Sequence, residues 1–334
     1  MPTMLDHPQG HVTPPPGNLE VNYGEVFTQR WVVDLILDQC GYRPDTDLTL
    51  LTVVEPAVGT GAFLGPALER LLAARSTFKP EQPWEDIGTC LSAFDLQPDH
   101  ADTCRALAVR LLTDAGCPPL TAEKLAKGWI NQGDFLLDDL GDPQADIVIG
   151  NPPYIRIEEL APDLLAAYRA ACPTMTGRAD IFIGFYERGL EAFKPGGRLA
   201  FICADRWMRN QYGHRLREKI LSGGYAVDNC IVMHDVDAFA EDVAAYPAIT
   251  VLRRGVQGEV AVAEATALFD RDSARQFSAW FDSGEPRLST AAVHAARLPH
   301  WHKTAEDRVC GPCPRRRSRR PSGRRRCRRR DFPG

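Results

Sequence analysis

Three times before residue 136, a short apolar run ends on an acidic side chain at the head of a turn. Leu48 to Val54 is a β-branched run that empties into Glu55-Pro56-Ala57-Val58-Gly59-Thr60-Gly61, followed by a helical pattern over Ala62 to Arg75. Cys90 to Phe94 ends in Asp95, and Pro98 opens a helix with Cys104, Leu107, Ala108, Leu111 and Leu112 on one face. Trp129 to Gln132 runs into Gly133-Asp134-Phe135. Strand, turn and helix in this alternation specify an α/β fold with a parallel sheet, whose ligands bind outside the carboxyl ends of the strands. An acid closing the second strand is placed to accept from ribose hydroxyls. Asp134 can accept from an adenine amino group, with Phe135 against a ring face. Any one of these acids alone reads as a helix cap or turn residue. Three in succession at strand ends point to a nucleoside-like ligand. The glycines of the first turn have only GxG spacing, which is as common in turns that solve a packing problem.

The next run, Asp146 to Ile149, is long enough for one buried strand, and Gly150 with Pro152-Pro153 stops it. Asn151 and Tyr154 thereby fall at a strand's carboxyl end. Pro152 has no N–H, so it meets a ligand with its carbonyl. Beside the Asn151 side-chain oxygen, it makes two converging acceptors next to the ring of Tyr154. Two acceptors and a ring suit an exocyclic amino group on a planar base, or an amide. Further on, helices are expected over Glu158 to Ala170, Asp180 to Phe193 and Trp207 to Leu221. Strands are expected over Arg198 to Cys203, Tyr225 to Met233, Ala248 to Arg253 and Glu259 to Glu264. Before the first strand, Arg30 to Gln39 reads as a helix with Thr28 as its N-cap.

With 44% hydrophobic and 25% charged residues, the composition is that of a globular protein. No apolar run approaches the roughly 18 residues of a membrane span. Nothing near the amino terminus reads as a secretory signal, so a cytoplasmic location is expected. Cys40, Cys90, Cys104, Cys117, Cys172, Cys203 and Cys230 stand singly in apolar surroundings, as reduced buried thiols do. Cys310 and Cys313 form a CxxC pair without the strand and helix of a redox site or a second pair for zinc. The net charge of −5 conceals a split. Residues 301–334 carry 13 Lys+Arg and 3 Asp+Glu, which leaves 26 and 41 to the preceding 300. Four segments follow: a disordered lead-in over 1–20, a folded core over 21–255, a region of thinner signal over 256–300, and an arginine-rich, disordered tail over 301–334. Two readings of that tail stay open, a nucleic-acid-binding extension and an out-of-frame translation.

Taken together, GEVFT, EPAVGTGAF, FDLQP, GDF, DIVIGNPPY, FYERGLEAFKPGGRLAFI and LREKIL, between Tyr23 and Arg254, resemble the N6-adenine DNA methyltransferases of the gamma arrangement. The likeness is strongest to the large type IIG restriction and phage-defence enzymes. It implies a class I S-adenosylmethionine-dependent methyltransferase fold, Rossmann-like, with a mostly parallel sheet of seven strands. It also implies a site-specific adenine methyltransferase that acts on double-stranded DNA, alongside other restriction or phage-defence subunits. By position, Thr28, Glu55, Ala57 and Gly59 would line the methionine half of S-adenosyl-L-methionine, with Pro56 and Gly61 in the same turn. Asp95 matches the ribose acceptor, and Asp134 and Phe135 the adenine contacts. Asn151, Pro152, Pro153 and Tyr154 match the catalytic motif, and Phe239 an aromatic that stacks on the far side of a flipped base. No metal is implied. Val58 and Gln97 depart from the family pattern, where a small or polar residue and a second acid are commoner. The resemblance also implies a recognition domain beyond the core. The residues between the core and the tail are too few for one, so the chain alone is expected to bind DNA without sequence preference. Two rivals share parts of this pattern: protein-glutamine methyltransferases, which also use NPPY, and a non-catalytic DNA-binding subunit on the same fold.

Overall fold

The computed structural model describes residues 27–142, 144–240 and 246–301. The expected lead-in, the CxxC pair and the arginine-rich tail lie outside them. In chain order the elements are α1 (Arg30–Gln39), β1 (Val53–Glu55), α2 (Leu64–Phe78), β2 (Leu91–Asp95), α3 (Pro98–Asp114), α4 (Pro119–Trp129), β3 (Ile130–Gln132) and β4 (Ala145–Gly150). Then come α5 (Pro162–Ala171), α6 (Phe182–Ala192), β5 (Phe193–Ala204), α7 (His214–Ser222), β6 (Tyr225–Val232), β7 (Pro247–Arg254), β8 (Val260–Ala265), α8 (Arg271–Ser283), β9 (Arg287–Ser289) and β10 (Val293–Leu298).

All the described strands join one sheet, in the order β3-β2-β1-β4-β5-β7-β6-β8-β10-β9. The first seven make the expected mostly parallel set, with β7 alone antiparallel to its neighbours β5 and β6. Beyond residue 255 the sheet continues without a break. Strand β8 pairs parallel with β6, and β10 and β9 add antiparallel. Helix α8 packs back on α1, where Gln39 Nε2 donates to Ser278 Oγ at 3.1 Å. The described sheet therefore has ten strands.

Burial on both faces explains why the central strands are nearly continuous apolar runs. Side chains alternate between two cores, as a period of two requires. Ile147, Ile149, Ala200 and Ile202 join the core under α1, α2, α3 and α4, while Val148, Leu199, Phe201 and Cys203 join the core under α6 and α7. The seven described cysteines are buried free thiols. Burial pushes Cys203 and Cys230 up to about 12, which keeps them protonated and inert. Among the described residues, no helix is long and apolar enough to cross a membrane.

Candidate active site

Strand order brings the carboxyl ends of β1, β2 and β4 together. The loop from Pro56 to Phe63 turns over these ends through Gly59 at φ +52° and Gly61 at φ +94°. Gly61 has a steric reason for its identity. A Cβ there would meet Leu107 Cδ2 at 2.9 Å and Cys104 Sγ at 3.4 Å, so Leu107 would have to shift, and the backbone at φ +94° disfavours a side chain in any case. At Gly59 a Cβ would meet nothing within 4 Å, so space is open there. Val58 is buried and its N–H donates to the Phe94 carbonyl at 2.9 Å, so this departure from the family pattern serves the core.

Asp95, at the end of β2, holds that loop. Its carboxylate accepts from the Gly59 N–H at 2.9 Å and the Gln97 N–H at 2.9 Å, and His100 Nδ1 lies 3.2 Å away. Glu55, at the end of β1, is buried, and its Oε2 has no hydrogen-bond partner. Burial, followed by the neighbouring Asp95 carboxylate, pushes its pKa well above the usual carboxylate range. Two acids thus stand near one another at the ends of β1 and β2, Asp95 bonded to the Gly59 N–H and Glu55 buried with an unpaired oxygen, an arrangement that fits a ligand rich in hydrogen-bond donors and positive charge. S-adenosylmethionine, with its ammonium group, sulfonium and ribose hydroxyls, has that chemistry.

Asp134 opens a turn after β3. Its Oδ1 accepts from the Leu136 N–H at 2.9 Å and its Oδ2 from the Tyr168 hydroxyl at 2.8 Å. Burial raises its pKa, against the Tyr168 hydroxyl and the Leu136 N–H, which favour the charged form. An ionised carboxylate has about four acceptor positions, so further donors can still be accommodated. Phe135 is buried, 5.5 Å from the Phe94 ring edge-on and 6.0 Å from Phe185 in a stack.

At the end of β4, Asn151 Nδ2 donates to Thr28 Oγ1 at 3.3 Å. Its Oδ1 is buried and, as an amide oxygen, can only accept. Thr28 is not the expected N-cap of α1. That position is Gln29, which makes no side-chain cap bond. Thr28 instead forms a β-bridge with Phe239, flanked by Gln29 N–H to Ala238 O at 3.0 Å and Ala240 N–H to Phe27 O at 2.8 Å. The sheet-edge loop that carries Phe239 is thereby fastened over the Asn-Pro-Pro-Tyr turn. The Tyr154 ring meets Phe239 edge to face, with centroids 6.4 Å apart. The Tyr154 hydroxyl is buried without a partner, and burial raises its pKa well above the usual phenol value.

Glu55, Gly59, Asp95, Asp134, Phe135, Asn151 and Tyr154 lie at this edge or in the turns that leave it, and Thr28 and Phe239 meet in a bridge beside it. His100, Tyr168 and Phe185, which the sequence reading passed over, hold three of them in place. His100 was findable, since it lies in the first turn of the helix after Asp95. Tyr168 carries no local signal, being 34 residues from its partner.

Residues 120–239 match the model of the Eco57I restriction-modification methylase family. The Type II methyltransferase M.PaeR7I of Pseudomonas aeruginosa is 43% identical over 248 residues, which are 74% of this chain and 43% of that protein. The Type II methyltransferase M.XhoI of Xanthomonas vasicola is 38% identical over 234 residues, 69% of this chain and 42% of its own length. The chain therefore spans less than half the length of these relatives. Among solved structures, the methyltransferase subunit of a type I restriction-modification system from Streptococcus thermophilus matches with TM-score 0.59 at 17% identity, over 82% of this chain and 56% of that one. A modification subunit of a putative type I restriction enzyme from Vibrio vulnificus YJ016 matches with TM-score 0.56 at 16% identity, over 83% and 56%. Over the matched residues the chain is similar to the Eco57I-type restriction-modification methylases, and it shares the fold of these restriction-modification methyltransferase subunits.

Proposed function

We propose that this chain carries the catalytic machinery of a restriction-modification-type DNA methyltransferase that methylates the N6 of adenine in double-stranded DNA. The observation that supports the proposal is the place of Asn151 just after β4, where its Nδ2 donates to Thr28 Oγ1 at 3.3 Å, an orientation in which its Oδ1 would serve as the acceptor. When bound, S-adenosylmethionine supplies an electrophilic methyl group. Glu55, Asp95, Asp134 and Phe135, with the turn Pro56-Ala57-Val58-Gly59, are the residues that would hold it.

The amino nitrogen of adenine is a weak nucleophile because its lone pair is delocalised into the ring. Asn151 Oδ1 and the Pro152 carbonyl would accept both amino hydrogens and favour a pyramidal nitrogen. Positive charge grows on that nitrogen as its new bond forms, and these bonds then strengthen, which is preorganised electrostatic catalysis. In a duplex the nitrogen is buried in the stack, so the base must be extruded at a cost of a few kcal/mol. Stacking on Tyr154, at roughly 1–3 kcal/mol per base, offsets part of that cost. Phe239, whose ring meets Tyr154 edge to face, would pack on the base from its other side. Partner subunits of a restriction or phage-defence system, and a cytoplasmic location, follow from the same reading.

The test is Asn151→Ala. Calorimetry should find S-adenosylmethionine affinity within about threefold of wild type, and radiolabelled methyl transfer to DNA should fall by at least a hundredfold, as expected when a transition-state contact is removed. Turnover at the wild-type rate would refute the assignment.

A further inference from the structure

The body of the chain is acidic, so binding to a polyanion requires basic charge gathered where the substrate lies. Such a gathering stands beside the Asn-Pro-Pro-Tyr turn, on the segment that follows β5. In the parallel register Gly150 pairs with Phe201, and β5 runs three residues further, to Ala204. The chain then folds into two successive 3₁₀ turns, Asp205–Met208 and Gln211–Gly213, before α7. This arch lies at the same carboxyl edge as Asn151, about 10 Å beyond it at the rise of a strand. Arg206, Arg209, His214 and Arg215 are all exposed on it.

The arch is rigid. Arg217 donates to the carbonyls of Trp207 and Asn210. A Cβ on Gly213 would fall 1.9 Å from the Trp207 carbonyl oxygen, so no other residue fits the crossing. Buried Asp205 anchors the arch. It accepts from Arg209 at 2.9 Å, lies 3.0 Å from His234 Nε2, and its N–H donates to Tyr246 O at 3.0 Å. Arg206 sits over the Tyr246 ring, 5.4 Å from its centroid. Arg215 donates to Pro173 O at 3.2 Å, which ties the arch to the connection between α5 and α6. From Asp205 to Arg217 there are four arginines and one acid.

We infer that this arch is a phosphate-contacting ridge, with Arg206 and Arg215 gripping the DNA backbone beside the extruded base. The inference rests on the proposed DNA methyltransferase reading and adds the surface on which the duplex is seated. Guanidinium groups on a fixed backbone suit phosphate oxygens, and the N-terminus of α7, which points to the same edge, adds partial positive charge.

The experiment measures the affinity of the full chain for a dye-labelled duplex across a series of KCl concentrations, for wild type, Arg206→Glu, Arg215→Glu and Arg206→Lys. Arg110→Glu, an exposed site on α3, is the control. Each lost phosphate contact should reduce the slope of log affinity against log salt by about 0.9. Arg206→Lys should keep the slope, and Arg110→Glu should leave it unchanged. Thermal melting of each variant establishes folding. Unchanged slopes in both ridge reversals, an equal loss in the control, or a wild-type chain that binds no duplex would overturn the ridge. Calorimetric titration of wild type with S-adenosylmethionine tests the methyltransferase reading separately. Absence of cofactor binding would overturn that reading whatever the slopes show.

Discussion

Replacing Glu55 by Gln should make the ligand-free protein more stable at neutral pH and weaken its response to cofactor. Glu55 is buried and its Oε2 has no partner. Its pKa lies well above the usual carboxylate range because burial, and then the Asp95 carboxylate, disfavour the charged form. Ionising this group therefore costs folding free energy. That cost is absent below the unfolded pKa of about 4.3 and accumulates as pH rises toward the folded value. An amide of the same shape never ionises. The substitution should therefore stabilise by about 1–2 kcal/mol more at pH 8 than at pH 5, because each pH unit between the unfolded and folded pKa is worth about 1.4 kcal/mol. In a chain of this size that is a rise in Tm of roughly 2–4 °C per kcal/mol. Scanning calorimetry of both proteins at pH 5 and pH 8 reads the difference directly. The gap should be large at pH 8 and small at pH 5. Added S-adenosylmethionine should raise the wild-type Tm more than that of Glu55→Gln, because the carboxylate then meets a cation. A variant that melts at or below wild type at pH 8 would refute the reasoning, as would a gap independent of pH.

Asp95→Ala should weaken S-adenosylmethionine binding by roughly 5- to 150-fold, or about 1–3 kcal/mol, measured by calorimetry, and should also lower the Tm because the Gly59 and Gln97 N–H groups lose their acceptor. Gly61→Ala combines a left-handed backbone with a methyl group against Leu107, and should destabilise by about 1–3 kcal/mol in urea denaturation. Tyr168→Phe should remove a charge-assisted hydrogen bond to Asp134, and about 1–2 kcal/mol of stability by the same assay.

The parts legible in the sequence were those where local pattern and tertiary role coincide. Leu91 to Asp95 and Ala145 to Gly150 are apolar because both faces are covered, and the acids and prolines at their ends stand where the sheet opens. Of the strand expected over Leu48 to Val54 only Val53 and Val54 are strand, because Asp47 caps a 3₁₀ turn over Leu48–Leu50. Contacts between distant segments were not legible. Thr28 resembles an N-cap because Thr before a helix usually is one. Its bridge partner Phe239 lies more than two hundred residues away and leaves no mark nearby. The expected helix over Trp207 to Leu221 begins only at His214, because the Gly213 backbone crosses Trp207 too closely for regular helix. Helix α4 was not expected at all. Strands β9 and β10 were also missed, since β9 has only three residues and neither strand alternates cleanly at an exposed sheet edge.

In the proposed reaction the acceptors at Asn151 and Pro152 direct a methyl group to the amino nitrogen of an extruded adenine. The most direct measurement incubates the full chain with methyl-labelled S-adenosylmethionine and a duplex carrying one unpaired adenine, then digests the DNA to nucleosides and identifies the labelled product. Label should appear in N6-methyldeoxyadenosine, with Asn151→Ala at background. Label in a methylated cytosine, or transfer to a glutamine-bearing protein substrate and not to DNA, would contradict it.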